Sequence, residues 1–316
     1  MRILALVVAA LSWALPSAAA AGVPARAPVA VVAAESTYGV IAQAVGGTYV
    51  EVRSVIHDPN VDPHEFEASP RTAREVARAS IVLMNGMGYD DWMQRLLAAN
   101  PSSSREVIVA AQLDRARLLP DGNPHLFYDT RVADAMAARI EALLARRDPA
   151  HGPYYAQRLA SFRASLAGVD ARVAQLRSSY PGLKVTATEP VYGYMLRALG
   201  WVSLGNTFQF NVMNDTEPEP SVVARYEDAL RQRRVSLLFY NRQVGSPLAR
   251  RMEQVARSAG VPTVGVEEFA GPEMDYSRWL MSSLDAVQAA LRARRPAAHE
   301  RASQAPARAM STKALR

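Results

Sequence analysis

The sequence predicts an α/β protein of two lobes joined by one long helix. Three observations carry that prediction. Short β-branched runs alternate with helical patterns from Pro28 to Ala110, the mark of parallel βαβ units. From Thr130 to Ser178 the pattern is helical throughout, with few breakers. At Lys184 the strand–helix alternation restarts. A chain of 316 residues has room for about two domains of ordinary size.

The elements follow in order. Pro28–Ala33 reads as a buried strand, and Tyr38–Val45 as a helix stopped by Gly46-Gly47. Tyr49–Ile56 alternates as a second strand. Ser69–Ala79 reads as a helix with Ser69 as N-cap and Pro70 at its first position, where the missing N–H does no harm. Ile81–Met84 and Val107–Ala110 are further strands, separated by a helix around Asp91–Ala98. Thr130–Ala145 and Ala150–Ser178 are helices, and the second would reach about 40 Å at ~1.5 Å per residue. The second lobe then has strands at Lys184–Thr188, Val235–Tyr240 and Pro262–Val266, with helices at Tyr192–Leu199 and Tyr276–Leu291. These boundaries give a first lobe over 28–147, a connector over 148–179 and a second lobe over 180–291.

Both ends read differently. Arg2, the 13-residue apolar run Ile3–Leu15 and the small residues Ser17–Ala20 stand in the order of a secretory signal peptide, expected to span 1–20. The run is too short for a membrane span, which needs ~20 residues. With no Cys in the chain, disulfides, thiolate catalysis and Cys-based metal sites are excluded. The expectation is therefore an exported, soluble, periplasmic protein without a lipid anchor. The stretch 292–316 holds seven Lys/Arg and one acid, Glu300, so it accounts for the whole formal charge of +6. It reads as a disordered basic tail. The body lacks the charge balance of a nucleic-acid binder, and no nucleic-acid partner is expected.

Ligands of open α/β sheets bind outside the carboxyl ends of the strands. Four polar groups follow strands here. His57 and His64 lie in the Pro-rich loop after Tyr49–Ile56; His125 lies in the loop reached from Val107–Ala110. Glu189 follows Lys184–Thr188 directly, and Glu267, Glu268, Glu273 and Asp275 lie beyond Pro262–Val266. Imidazole with carboxylate suits Zn²⁺, Mn²⁺ or Fe²⁺. Each residue also has an ordinary role: a loop His is commonly solvated, Glu189 suits a helix N-terminus, and Asp275 suits an N-cap. His151 and His299 are assigned no role. No G-x-S-x-G elbow, P-loop or H-E-x-x-H helix is present, and Tyr89-Asp90-Asp91-Trp92 reads as a helix cap before a packed aromatic.

Three segments of the first lobe, Asp62-Pro63-His64-Glu65-Phe66-Glu67, Asn85–Met93 and Asn123-Pro124-His125, resemble the solute-binding receptors of zinc and manganese ABC importers. Thr188–Tyr194 and Met213–Pro218 of the second lobe agree, so the resemblance runs from about Val29 to Leu291. It implies two α/β lobes on a rigid connecting helix with the metal in the interlobe cleft. Carried over position by position, it makes His64 and His125 ligands from the first lobe and Glu189 the third. The fourth position, usually Asp, falls on Met274 with Asp275 one residue beyond. Asp275 is assigned, with Glu273 or a water as alternatives. The His-rich loop of many zinc receptors is replaced by the short Asp114–Gly122, so the metal is left open.

The function expected is capture rather than catalysis. The cargo would be Zn²⁺ or Mn²⁺ and the partner the membrane permease of an ABC importer, with the receptor a monomer. Two other readings stay open: an exported metal-dependent hydrolase, with Glu65 or Asp62 as base, and an adhesion or structural module in which these residues are incidental.

Overall fold

A computed structural model describes residues 27–294, apart from Pro59, Asp62, His64, Glu65, Val244, Pro272 and Glu273. The expected signal peptide, nearly all of the basic tail, His64 and Glu273 therefore lie outside the described residues.

The first lobe runs β1 (Val29–Glu35), α1 (Ser36–Gly46), β2 (Val50–Ile56), α2 (Pro70–Arg78), β3 (Ile81–Met84), α3 (Asp91–Ala99), β4 (Glu106–Val109), α4 (Ala110–Leu113) and α5 (Thr130–Arg147). Its four strands are parallel in the order β2-β1-β3-β4, with Val31 opposite Val52 and Ile81. α6 (Gly152–Ser179) connects to the second lobe: β5 (Lys184–Ala187), α7 (Gly193–Leu199), β6 (Val202–Ser203), α8 (Asn206–Met213), α9 (Pro220–Arg231), β7 (Leu238–Asn241), α10 (Pro247–Ser258), β8 (Thr263–Val266) and α11 (Tyr276–Arg294). This sheet is also parallel, in the order β6-β5-β7-β8.

The strand orders decide where a ligand can sit. In each sheet the chain steps to one side, then returns to build on the other. The reversal falls between β1 and β3 in the first lobe and between β5 and β7 in the second. At such a switch point the connections leave in opposite directions and open a crevice beyond the strand ends. Glu35 and Asn85 stand at one reversal; Glu189 and Asn241 stand at the other.

α6 has 28 residues, about 42 Å at ~1.5 Å per residue. Tyr155, Leu159, Phe162, Leu166, Val169, Val173 and Leu176 form its buried stripe, spaced alternately four and three apart. That stripe belongs to one apolar cluster reaching from Val31 and Leu83 in the first sheet to Val185 and Phe239 in the second. At roughly 25 cal/mol per Å² of buried apolar surface, a shared core of this kind resists independent movement of the lobes. α11 returns along α6, where Arg172 donates to Asp285 at 2.6 Å and to Gln288 at 2.8 Å.

The expected cap of α2 is present: Ser69 Oγ accepts from Thr72 N–H at 3.2 Å, with Pro70 following. Asp90 departs from the expected cap. Its carboxylate turns back to accept from the N–H groups of Asn85 (2.5 Å) and Gly86 (2.8 Å) instead of capping α3. The intervening backbone allows this because Gly86, Met87 and Gly88 all have positive φ (82°, 59° and 82°). β6, α8, α9 and α10 occupy stretches for which the hydrophobic pattern predicted no element.

Candidate metal centre

In the second lobe the centre is built on the ends of three parallel strands. Glu189 leaves β5 in extended conformation and is held there by Pro190, which opens a short turn over Pro190–Tyr192. Glu268 lies two residues beyond β8, and both carboxylates are buried, at 2% and 0% exposure. Asn241, the last residue of β7, joins them: its Nδ2 donates to Glu189 Oε2 at 3.1 Å and to Glu268 Oε1 at 2.5 Å. Asn241 is itself oriented by Gln243 N–H on its Oδ1 at 3.0 Å. Gln243 Oε1 in turn accepts from Glu268 N–H at 2.5 Å.

The first lobe supplies His125 and Tyr89. Tyr89 donates its hydroxyl to Glu268 Oε2 at 2.8 Å, so both oxygens of Glu268 are engaged from opposite lobes. His125 is fully buried, and its Nε2 lies 3.6 Å from Glu268 Oε2. Its other ring nitrogen, Nδ1, is 2.7 Å from Asn123 Oδ1. The loop holding His125 is tied to the end of β3: Asn85 Nδ2 donates to Pro124 O at 2.8 Å, and Tyr38 donates to Asn85 Oδ1 at 2.6 Å.

A further buried acid stands at the end of β1. Glu35 is fully buried and its carboxyl lies beside that of Asp90. Burial first, and then the charge of nearby Asp90, push its carboxyl well above the usual range. Glu268 adds to the same upward push. Asp90 is raised too, by burial, against the opposing effect of the two N–H groups it accepts.

Asn241 and Tyr89, which donate to Glu189 and Glu268, are neutral groups, and two buried carboxylates held side by side are donors of the kind a divalent cation takes. Metal–ligand bonds of about 2.0–2.2 Å at roughly tetrahedral angles leave two ligand atoms about 3.3–3.6 Å apart. The 3.6 Å between His125 Nε2 and Glu268 Oε2 is a spacing that a shared ion fits. Among the described residues, no three His, Asp or Glu side chains converge closely enough to hold an ion by themselves. His125 and Glu268 face each other directly, and Glu189 is linked to Glu268 through Asn241.

Of the residues expected from the sequence, His125 and Glu189 are brought to this centre, and His64 lies outside the described residues. Asp275, the residue assigned to the fourth position, is not brought to it. It is the N-cap of α11, accepting from Arg278 N–H at 2.8 Å with its side chain 60% exposed. It lines a surface groove with His57, Arg53 and Arg158. The reason is distance along the chain: α11 begins at Tyr276, so Asp275 is fixed by the start of that helix, whereas Glu268 is fixed by the end of β8. Asn241 and Glu35 were not anticipated. The rule that polar residues at a sheet's switch point face the ligand would have found both.

The chain matches the family model "Zinc-uptake complex component A periplasmic" over residues 31–290. It is 23% identical over 273 residues to the metal ABC transporter substrate-binding lipoprotein FimA of Streptococcus parasanguinis, covering 82% of this chain and 86% of that one. It is 23% identical over 245 residues to the manganese ABC transporter substrate-binding lipoprotein PsaA of Streptococcus pneumoniae, covering 73% and 77%. The fold superposes on the periplasmic zinc binding protein TroA of Treponema pallidum with a TM-score of 0.70 at 18% identity, over 84% of this chain and 99% of that one. On sequence and fold together, the chain belongs to the zinc-uptake component A family, the solute-binding proteins of zinc and manganese ABC importers.

Proposed function

We propose that this protein captures a divalent transition metal between its lobes and delivers it to the permease of an ABC importer, with Zn²⁺ the preferred cargo and Mn²⁺ accepted. The observation that carries this reading is His125 Nε2 facing Glu268 Oε2 at 3.6 Å, with Glu189 tied to Glu268 through one amide nitrogen. The ligand set proposed is His64, His125, Glu189 and Glu268, the last in place of Asp275. Two imidazoles and two carboxylates around a dication leave the buried site neutral, which limits the penalty of burying charge. The general affinity order places Zn²⁺ well above Mn²⁺ at mixed nitrogen and oxygen ligands. Export to the periplasm follows the signal-peptide pattern at residues 1–20; among the described residues no helix is long and apolar enough to cross a membrane.

Calorimetric titration of metal-free protein with Zn²⁺ tests the reading, with turnover assayed in parallel on ester, phosphate and peptide substrates. Stoichiometric binding without turnover is expected. Metal-dependent turnover would favour a hydrolase instead, and absence of saturable binding would remove the receptor reading.

A further inference from the structure

Asn123 touches both lobes at once. It is 1% exposed, and every polar atom of its side chain is used. Oδ1 accepts from the backbone N–H of His125 at 2.9 Å and lies 2.7 Å from the ring Nδ1. Nδ2 donates to Pro190 O at 2.6 Å, in the residue that follows Glu189. This network fixes the amide's orientation, because only nitrogen can face the Pro190 carbonyl and only oxygen can face a backbone N–H. An amide oxygen has no proton to give, so the ring hydrogen bond requires the proton on His125 Nδ1. The Nε2 lone pair is thereby directed toward Glu268.

The second lobe makes room for this side chain. A Cβ on Gly193 would lie 2.4 Å from Asn123 Nδ2, although Gly193 itself has ordinary helical backbone angles (φ −54°, ψ −43°). Alanine at 193 would therefore suit α7 and still displace Asn123. Tyr194, the next residue, donates to Asn123 O at 3.0 Å and accepts from Leu119 N–H at 3.2 Å, closing the junction on its other side.

We propose that Asn123 is the positioning residue that couples the two lobes at the metal centre: one amide sets the His125 tautomer and clamps the turn bearing Glu189. Gly193 is the vacancy that admits it. The inference rests on the receptor reading for its consequence, but the tautomer and the clamp are properties of the metal-free protein. Partners that orient a liganding imidazole are worth about 10–100-fold in metal affinity.

The test uses the metal-free exported protein, labelled with ¹⁵N-histidine, and long-range ¹H–¹⁵N spectra that distinguish Nδ1–H from Nε2–H imidazole. The His125 signal is assigned by its loss in His125→Asn. Wild type is expected to show the Nδ1–H form and Asn123→Ala a mixture. Asn123→Asp, which keeps the acceptor and loses the donor, should restore the Nδ1–H form. Zn²⁺ release into excess chelator should accelerate about 10–100-fold in Asn123→Ala and Gly193→Ala. It should also accelerate in Asn123→Asp, where the clamp is lost and the tautomer kept. Thermal unfolding of each variant shows that it is folded. An Nε2–H form in wild type, or an unchanged tautomer in Asn123→Ala, would overturn the tautomer role. Unchanged release in both Gly193→Ala and Asn123→Asp would overturn the clamp. Wild type that binds no Zn²⁺ yet shows the Nδ1–H form would instead count against the receptor reading.

Discussion

Replacing Asn241 by Ala should destabilise the metal-free protein far more than the metal-loaded one. The two protons of Asn241 Nδ2 serve two buried carboxylates, one on Glu189 and one on Glu268. A hydrogen bond to a charged group contributes about 1.5–3 kcal/mol, so losing both removes roughly 3–6 kcal/mol. For a chain of this length ~1 kcal/mol corresponds to about 2 °C in melting temperature, giving a drop of about 6–12 °C. A bound dication neutralises the same carboxylates, and part of the drop should vanish when Zn²⁺ is present. Both proteins should also gain about 2.7 kcal/mol at a hundredfold excess of metal over Kd. Thermal unfolding of wild type and Asn241→Ala, each with and without Zn²⁺, gives the four numbers needed. A metal-free Asn241→Ala protein melting within 2 °C of wild type would refute the argument that Asn241 holds two ionised carboxylates. Equal losses with and without Zn²⁺ would refute the claim that the metal takes over its role.

Three further outcomes are expected. Glu268→Ala should weaken Zn²⁺ binding in calorimetry at least a hundredfold, whereas Asp275→Ala should leave it within about twofold and lower stability by ~1 kcal/mol through the lost cap; the reverse order would restore Asp275 to the site. Glu35 has a folded-state pKa above its unfolded value, so its contribution to stability is fully present below the ordinary carboxylate range and is lost as pH rises through the raised value. Denaturant unfolding of metal-free Glu35→Gln should therefore lose less stability than wild type between pH 5 and pH 8, and parallel slopes would show that Glu35 ionises freely. Metal-free protein offered equimolar Zn²⁺ and Mn²⁺ should retain mostly Zn²⁺ by mass spectrometry after desalting, and mostly Mn²⁺ would overturn the zinc preference.

Much of the architecture can be read from the sequence, because the central strands of both sheets are buried and are plain apolar runs. Val31–Ala34, Ile81–Met84 and Leu237–Phe239 are all nearly inaccessible to solvent. α6 announces itself by length and by its alternating stripe. β6 has only two residues, too few for a period to show. α9 and α10 carry readable start signals, Pro220 after Glu219 and Pro247 after the Ser246 cap. In both, four charged residues over about three turns dilute the apolar face that a pattern search relies on.

At the centre, Glu189 is legible because it is the one carboxylate between its strand and the helix that follows. The fourth carboxylate is not, because Glu267, Glu268, Glu273 and Asp275 stand within nine residues and spacing alone does not rank them. What ranks them is burial: Glu268 turns inward to Asn241 and Tyr89, while Glu267 pairs outward with Arg242 at 3.0 Å. Asn123 is equally hidden. A turn-forming Asn before Pro is common, and its role depends on a carbonyl 67 residues away.

Crystals of the zinc-loaded protein, measured on both sides of the zinc absorption edge, test the central claim most directly. The account predicts one strong anomalous peak within about 2.0–2.2 Å of His125 Nε2 and of carboxylate oxygens from Glu189 and Glu268, with His64 completing the set. A peak in the groove lined by His57 and Asp275, with His125 and Glu268 left as they are without metal, would contradict it.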